Sequence, residues 1–393
     1  MARFDLTRPV PILLLSDGPD QKTGLGRICH DLARLLSTMP EFKVGVLGRN
    51  SMGRTNYPWT NYSFGVQDGW GQSHLLQAWS DLSRGQRGIV LTVWDATRLV
   101  WFTHPETSGL PDRDQRFLGE ERGFERWGYF MQDCDGIVPH RLPQESQCVM
   151  AAYDRVLTAS RWAWEIVRNS LAPAVDLDWM PHGINLATFQ PRDRMAIRSA
   201  WGIGEDETLI GCCMANQDRK HWATVMEAVA SMSGRPRLWI KTDRLLHYWN
   251  LQALAIEYGL VDRIVLDDRD LTDADLAWRY SACDATVMVS GGEGFCYPVA
   301  ESLACGVPAV SGAYGAQTDL TLWTFPVSGW KIETIHNVRR AYYDPLNVGK
   351  LLEVVVREQR QANKAAECRG LVEHLGWERL AYPWKRWIRK GLQ

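Results

Sequence analysis

Two glutamates, Glu293 and Glu301, bracket a glycine-rich run in the segment VSGGEGFCYPVAESLACGVPAVSG, residues 289–312. An apolar strand is expected to end at Val289 and Ser290, after which Gly291, Gly292 and Gly294 form a loop with accessible backbone N–H groups. Pro298 suits the first turn of a helix, where its missing N–H costs nothing. A glycine loop running into a helix N-terminus binds anions through free N–H groups and the helix dipole. A carboxylate beside a bound phosphate is repelled by it, so the two glutamates suit sugar hydroxyls farther along the same ligand. Two cations, Arg219 and Lys220, follow the apolar run LIGCCM. At a strand's carboxyl end they suit the charge that builds on a diphosphate leaving group, with a solvated surface pair as the alternative. Gly24-Leu25-Gly26 forms a G-x-G loop after the first strand, equally compatible with a plain strand–helix turn. Trp94-Asp95 ends another strand, and Asp133 and Asp135 follow the run WGYFM. For these aspartates a helix cap or turn is the competing role. Histidines 74, 104, 140, 221 and 247 show no metal spacing and read as surface or core residues. His182, between Pro181 and Gly183, is the histidine to test.

These residues need rigid elements behind them. Strand-like runs are expected at Val10–Leu15, Lys43–Leu47, Ile89–Trp94, Trp127–Met131 and Arg155–Ala159. A second set is expected at Leu209–Met214, Arg237–Ile240, Arg263–Leu266, Ala285–Val289 and Ala309–Val310. Amphipathic helices separate them, including His221–Met232, Leu251–Tyr258, Asp273–Ala282 and Pro298–Ala304. Continuous apolar strands alternating with helices predict parallel sheets covered on both faces. Ligands then bind beyond the carboxyl ends of the strands, where the motifs fall. Residues 48–87, rich in Gly, Asn, Ser and Trp, read as loop-heavy. The segment MPHGINLATFQPRD, residues 180–193, reads as a crossing between domains.

The segment 289–312 resembles the E-x7-E motif of retaining GT-B glycosyltransferases of family 4, which use nucleotide sugars. From Glu293-Gly294-Phe295-Cys296-Tyr297-Pro298 through Glu301, Gly306 and Pro308 it follows that form, with Cys296 where Gly is common. The resemblance implies that Glu293 holds donor sugar hydroxyls and Glu301 the nucleotide ribose. It implies that backbone amides of Gly294, Phe295 and Cys296 meet the sugar or diphosphate. His182-Gly183-Ile184-Asn185, with Phe189 and Pro191, resembles the family's crossing into the second domain. Ala215 to Lys220 resembles its G-R-x-x-x-x-K-G, with Arg219 standing in for the arginine replaced by Ala215. Gly24 and Gly26 resemble the loop near donor phosphate and acceptor. Asp95 occupies a place where many relatives carry a histidine near the reacting centre. The implied catalytic set is Glu293, Asp95 and Lys220, with Asp133, His182 and Trp94 as acceptor-side candidates. The implied fold is α/β, GT-B, with two doubly wound Rossmann-like domains facing a cleft. Residues 1–184 would bind the acceptor and 185–370 the nucleotide sugar, with a C-terminal helix in 371–393 crossing back. A metal-independent reaction with no cofactor is implied, since no Asp-x-Asp metal motif sits at a convincing strand end. A GT-B nucleotide-sugar epimerase and an inactive sugar-binding protein are the rival readings.

The chain has 393 residues and a net charge of −2, which excludes a globally basic nucleic-acid binder. Nine cysteines without a C-x-x-C pair predict reduced thiols and a cytoplasmic location. The N-terminus reads as a core strand rather than a signal peptide, and no apolar stretch is long enough to span a membrane. Trp is in excess, at 19 against 12 Tyr and 10 Phe. Trp59, Trp70, Trp94 and Trp101 fall in the expected acceptor half, where an indole face stacks on a sugar or a base. The acceptor stays open among a glycan or lipid, a small metabolite and a hydroxylated base in DNA. Two basic-aromatic stretches bear on it: Arg49, Arg54, Tyr57, Trp59 and Tyr62, and the C-terminal run Tyr382–Lys390. The latter is expected either to pack on the first domain or to touch a membrane surface or DNA.

Overall fold

In a computed structural model of the chain, residues 4–53, 56–119 and 122–393 are described, and they divide into two α/β units. The first unit comprises Met1–Gly183 and Leu380–Gln393, the second Ile184–Arg379. Arg54, grouped above with Arg49, lies outside the described residues.

The first unit is built on β1 (Val10–Asp17), β2 (Phe42–Arg49), β3 (Thr60–Phe64), β4 (Gly88–Trp94), β5 (Phe124–Phe130), β6 (Arg155–Thr158) and β7 (Leu177–Trp179). They form one sheet in the order β3-β2-β1-β4-β5-β6-β7, all neighbours parallel. Continuous apolar runs suit β1 and β4 to the centre of the sheet, where both faces are covered by helices, and β5 is buried along its whole length although it carries Glu125 and Arg126. Residues 48–87 are more ordered than expected: they hold β3 and the helix Leu75–Ser83. β3 is an edge strand with only Phe64 fully buried, so it lacks the apolar run that betrays a central strand.

The tryptophans of this unit correct one expectation. Trp59, Trp94 and Trp101 are buried, with Trp94 wholly inaccessible, so their faces pack in protein rather than waiting for a sugar or base. Only Trp70 of the four is half-buried. The C-terminal helix, Trp377–Leu392, also turns its aromatic face inward. Trp384 meets Tyr129 edge-on at 5.0 Å, and Trp387 meets Trp127 at 5.3 Å. The Arg155 guanidinium lies over Trp127 and Trp387, at 4.8 and 4.1 Å, and donates to the Trp387 carbonyl at 2.9 Å. Of the two alternatives for this stretch, its indoles take the packing one, leaving Tyr382, Arg386, Arg389 and Lys390 outside.

The second unit is built on β8 (Leu209–Cys213), β9 (Arg237–Lys241), β10 (Ile264–Asp267), β11 (Ala285–Met288), β12 (Ala309–Gly312) and β13 (Thr324–Phe325). Their order is β10-β9-β8-β11-β12-β13, again parallel throughout. An antiparallel hairpin, β14 (Gly329–Glu333) and β15 (Val338–Tyr342), follows. It escapes a reading by alternation because β15, VRRAY, does not alternate, although β14, GWKIE, does. Two doubly wound Rossmann-like domains are therefore present, as the strand–helix alternation predicts.

Candidate functional site

The second unit brings its charged candidates together through a short piece of backbone pairing. Lys220 and Ser290 form an antiparallel bridge between the loop after β8 and the loop after β11. The Gly291 N–H donates to the Arg219 carbonyl at 2.8 Å, and the His221 N–H to the Val289 carbonyl at 3.1 Å. Residues 219–221 of the loop after β8 are thereby zipped to the start of the glycine loop. The Lys220 ammonium donates to Glu293 Oε1, and both side chains are buried. Arg219 Nε donates to the Gly292 carbonyl at 3.2 Å, and a terminal nitrogen lies 3.8 Å from Glu293 Oε2. Burial alone would raise the Glu293 carboxyl, but Lys220 and Arg219 outweigh it and hold it below the usual carboxylate range. The site therefore carries an ionised glutamate pinned between two cations.

The loop around Glu293 is fixed from three sides. The Glu293 carbonyl accepts from the Ala316 N–H at 2.9 Å, and Gly291 accepts from the Ala341 N–H of β15 at 3.1 Å. Gly315, at φ +95°, passes so close that a Cβ there would sit 2.9 Å from the Glu293 nitrogen. The helix Tyr297–Ala304 begins immediately after the loop, with Pro298 in its first turn. Cys296 precedes it at φ +81°, ψ +66°, a left-handed conformation that costs a non-glycine residue about 1–3 kcal/mol. That explains why glycine suits this position and marks Cys296 as a strained exception. Glu301 points into the interior and accepts from the Tyr280 hydroxyl at 3.1 Å. Tyr280 escaped the sequence reading, because its partner lies 21 positions away on another helix. Burial, with Cys213 and Glu301 nearby, keeps the Tyr280 phenol well above its usual range, so it stays a donor.

Other candidates lie in the first unit. Gly24 opens the helix Gly24–Ser37, and the Gly26 N–H already donates to its N-cap, Thr23, at 2.9 Å. A Cβ at Gly26 would meet the Gln21 carbonyl at 2.5 Å, so loop packing alone demands this glycine. Thr23 in turn donates to Asp17 Oδ2 at 2.9 Å, and Trp94 Nε1 approaches Asp17 Oδ1 at 3.4 Å. Trp94 faces the core rather than the surface. Asp95 is half-exposed and pairs with Arg98 at 3.1 Å. Asp133 is half-buried in the loop after β5, where the neighbouring Asp135 accepts from the His140 N–H at 2.7 Å. His182 is buried with Nδ1 2.7 Å from the Tyr129 hydroxyl. Burial, with Arg27 adding repulsion, lowers its pKa to about 3, so it is neutral near pH 7. In the second unit, burial likewise lowers His221 to about 4, and its ring stacks on Tyr342 at 4.4 Å.

Among the described residues, no three His, Cys, Asp or Glu side chains gather as a metal-holding group. None of the nine cysteines is in a disulfide. Among the described residues, no helix is long and apolar enough to cross a membrane.

Residues 193–321, which contain the whole zipped loop, match the family described as Glycosyl transferases group 1. A D-inositol 3-phosphate glycosyltransferase of Mycolicibacterium vanbaalenii is 29% identical over 189 residues, 45% of this chain and 42% of that protein. The namesake from Mycobacterium marinum is 29% identical over 182 residues, 45% of this chain and 38% of its own. The chain thus spans about two-fifths of the length of these relatives. Among solved structures, sucrose-phosphate synthase from Thermosynechococcus elongatus superposes with a TM-score of 0.77 at 17% identity, over 97% of this chain and 98% of that one. Anabaena HepE in complex with UDP and glucose gives 0.69 at 12% identity, over 98% and 99%. At such identities the likeness is one of fold, and the fold is that of GT-B glycosyltransferases.

Proposed function

We propose that this chain is a retaining glycosyltransferase that moves a sugar from a nucleotide diphosphate sugar to an acceptor hydroxyl. The observation that carries it is the pairing of Arg219 and Lys220 with Glu293 at the mouth of a glycine loop and helix N-terminus. As the anomeric carbon–oxygen bond to the diphosphate breaks, negative charge grows on the leaving group. Arg219, Lys220 and the loop N–H groups would meet that charge without a metal ion. Glu293, ionised, would accept hydrogen bonds from the donor sugar, and Glu301 from the ribose. The group 1 match and the relatives' names support the transferase class. The Anabaena protein, solved with UDP and glucose and with UDP-glucose, supports a UDP-sugar as donor. Retention rests on the resemblance of the Glu293–Glu301 segment alone. We assign the acceptor to the first unit, and favour a small metabolite over a glycan, lipid or DNA base. Two of the proteins named above carry phosphorylated compounds in their names, D-inositol 3-phosphate and sucrose phosphate. Nine free thiols suit the reducing cytoplasm.

The test is nucleotide release from a panel of UDP- and GDP-sugars, with and without candidate acceptors. Glu293→Gln keeps the shape of the site and removes the charge. At a temperature where the variant stays folded, turnover should fall by about 10²–10³-fold, the scale of losing one transition-state contact, while the loss of Lys220's charge partner lowers the melting temperature. Near-normal turnover in that variant would sink the assignment.

A further inference from the structure

The segment that presents Arg219 and Lys220 is fastened on a second side, by the loop after β9. β9 lies beside β8 and parallel to it, so the loop 242–250 leaves the sheet at the same end as the two cations. Residues 243–250 are all exposed or half-buried, with Leu246 70% and Tyr248 64% exposed. Apolar packing therefore does little to hold this loop. Polar bonds hold it, and they converge on two residues of the neighbouring loop. Asn216 is wholly buried. Its Nδ2 donates to the Arg244 carbonyl at 3.1 Å and to the Trp249 carbonyl at 2.8 Å. Its Oδ1 accepts from the Trp249 N–H at 3.0 Å, and its own N–H donates to Asp243 Oδ1 at 2.7 Å. His247 Nδ1 lies 3.0 Å from its carbonyl oxygen. A buried amide satisfied in this way avoids the cost of desolvation and fixes the position of what it binds.

Gln217 passes that position on to the cations. Its carbonyl accepts from Trp249 Nε1 at 3.1 Å and from the Lys220 N–H at 3.1 Å. Its side-chain Oε1 accepts from the Arg219 guanidinium. One half-buried indole thus holds the residue to which both cations are tied, Lys220 through the main chain and Arg219 through the side chain. On the other side Lys220 bridges to Ser290. The two cations are therefore suspended between two supports. Hydrogen bonds are directional and tolerate little slip. A cation displaced by about 1 Å from a developing charge loses much of its effect.

We propose that Asn216 and Trp249 are positioning residues for a diphosphate: acting through Gln217, they hold Arg219 and Lys220 where the diphosphate meets them, without touching it. This rests on the reading of Arg219 and Lys220 as the cations that face the leaving group. Both residues are uncharged, so their effect on an anion passes through the turn they fasten.

The experiment titrates inorganic pyrophosphate, which has neither base nor sugar, into the full chain and three variants, well below the melting temperature of each. Trp249→Phe removes the indole N–H and keeps an aromatic ring. It should weaken pyrophosphate about two- to tenfold, the range of one neutral hydrogen bond expressed as an affinity. Asn216→Ala removes three bonds and should weaken it further, and Trp249→Phe keeps the test alive where that variant does not fold. Leu246→Ala trims the exposed tip of the same loop and should leave the affinity unchanged. Turnover of a UDP-sugar should follow the same order, with kcat falling more than KM rises, because leaving-group charge is greatest in the transition state. Equal pyrophosphate affinity in wild type and Trp249→Phe overturns the proposal, as does no pyrophosphate binding. A loss in Leu246→Ala as large as that in Trp249→Phe also overturns it, since the loop would then act by contact with the ligand. Pyrophosphate binding that weakens as expected in a chain that binds neither UDP nor GDP would uphold the positioning role and count against the glycosyltransferase reading.

Discussion

The two units repeat one architecture yet hold the charges at their strand ends in different ways. In the second, Lys220 and Glu293 are buried and paired, and Glu301 is sunk against Tyr280. In the first, Arg49 and Arg98 stay near the surface and rest on the Trp70 indole. Burying an ion pair demands excellent geometry, because desolvation must be recovered by contacts. The second unit meets that demand with a few consecutive residues, 219–221 against 289–291. The first unit asks less of Arg49 and Arg98, which come from a strand end and a turn far apart in sequence.

That contrast can be broken most forcefully at Lys220. Lys220→Ala strands an ionised Glu293 in the interior. It should cost about 3–5 kcal/mol of stability in the second unit. Denaturant melts should show the loss, and hydrogen exchange should confine it to 184–379. A loss shared equally by both units would mean the charge is not held locally. The counterpart in the first unit is Trp387→Ala, which removes the indole packed against both Trp127 and Arg155. It should cost about 3–5 kcal/mol there while UDP affinity is retained. A fall in UDP affinity matching the fall in stability would erase the distinction.

The smallest effect is the response to acid. His182 is neutral when folded, with a pKa of about 3, against about 6.5 unfolded. Its folded pKa is depressed, so the unfolded chain binds more protons between those values. Stability is therefore fully present above about pH 6.5 and is lost as pH falls toward 3, by up to about 1.4 kcal/mol per pH unit. His221 does the same down to about 4, so the first unit has the wider window of loss. Melting temperatures from pH 7.5 to 4.5 should fall less steeply in His182→Gln than in wild type. Parallel slopes would show that His182 is not the group responsible.

How much could be read beforehand follows the same division. β1, β4 and β8 announce themselves as apolar runs because parallel strands are buried on both faces. The loop at Glu293 is legible because its chemistry is contiguous, and Arg219 and Lys220 because they follow closely on an apolar strand. The pairing of those two segments is not legible, since it joins residues 73 positions apart. Tyr280, the stack on Trp70 and the hairpin β14–β15 were missed for related reasons: each is a meeting of side chains or edges from separate elements. The aromatic excess misled more than it informed, since a Trp that packs and a Trp that stacks on a ligand look identical in one dimension.

The bond from Arg155 to the Trp387 carbonyl spans 232 positions. A ribosome delivers residues in order, so Arg155 emerges long before its indole cover exists. The second unit is continuous from Ile184 to Arg379 and has all its parts while the first still lacks Trp384 and Trp387. During synthesis the later unit can therefore close before the earlier one is complete. The first unit's Trp127 and Tyr129 meanwhile lack the aromatic cover of the last helix, an interval in which chaperones or aggregation would compete for them.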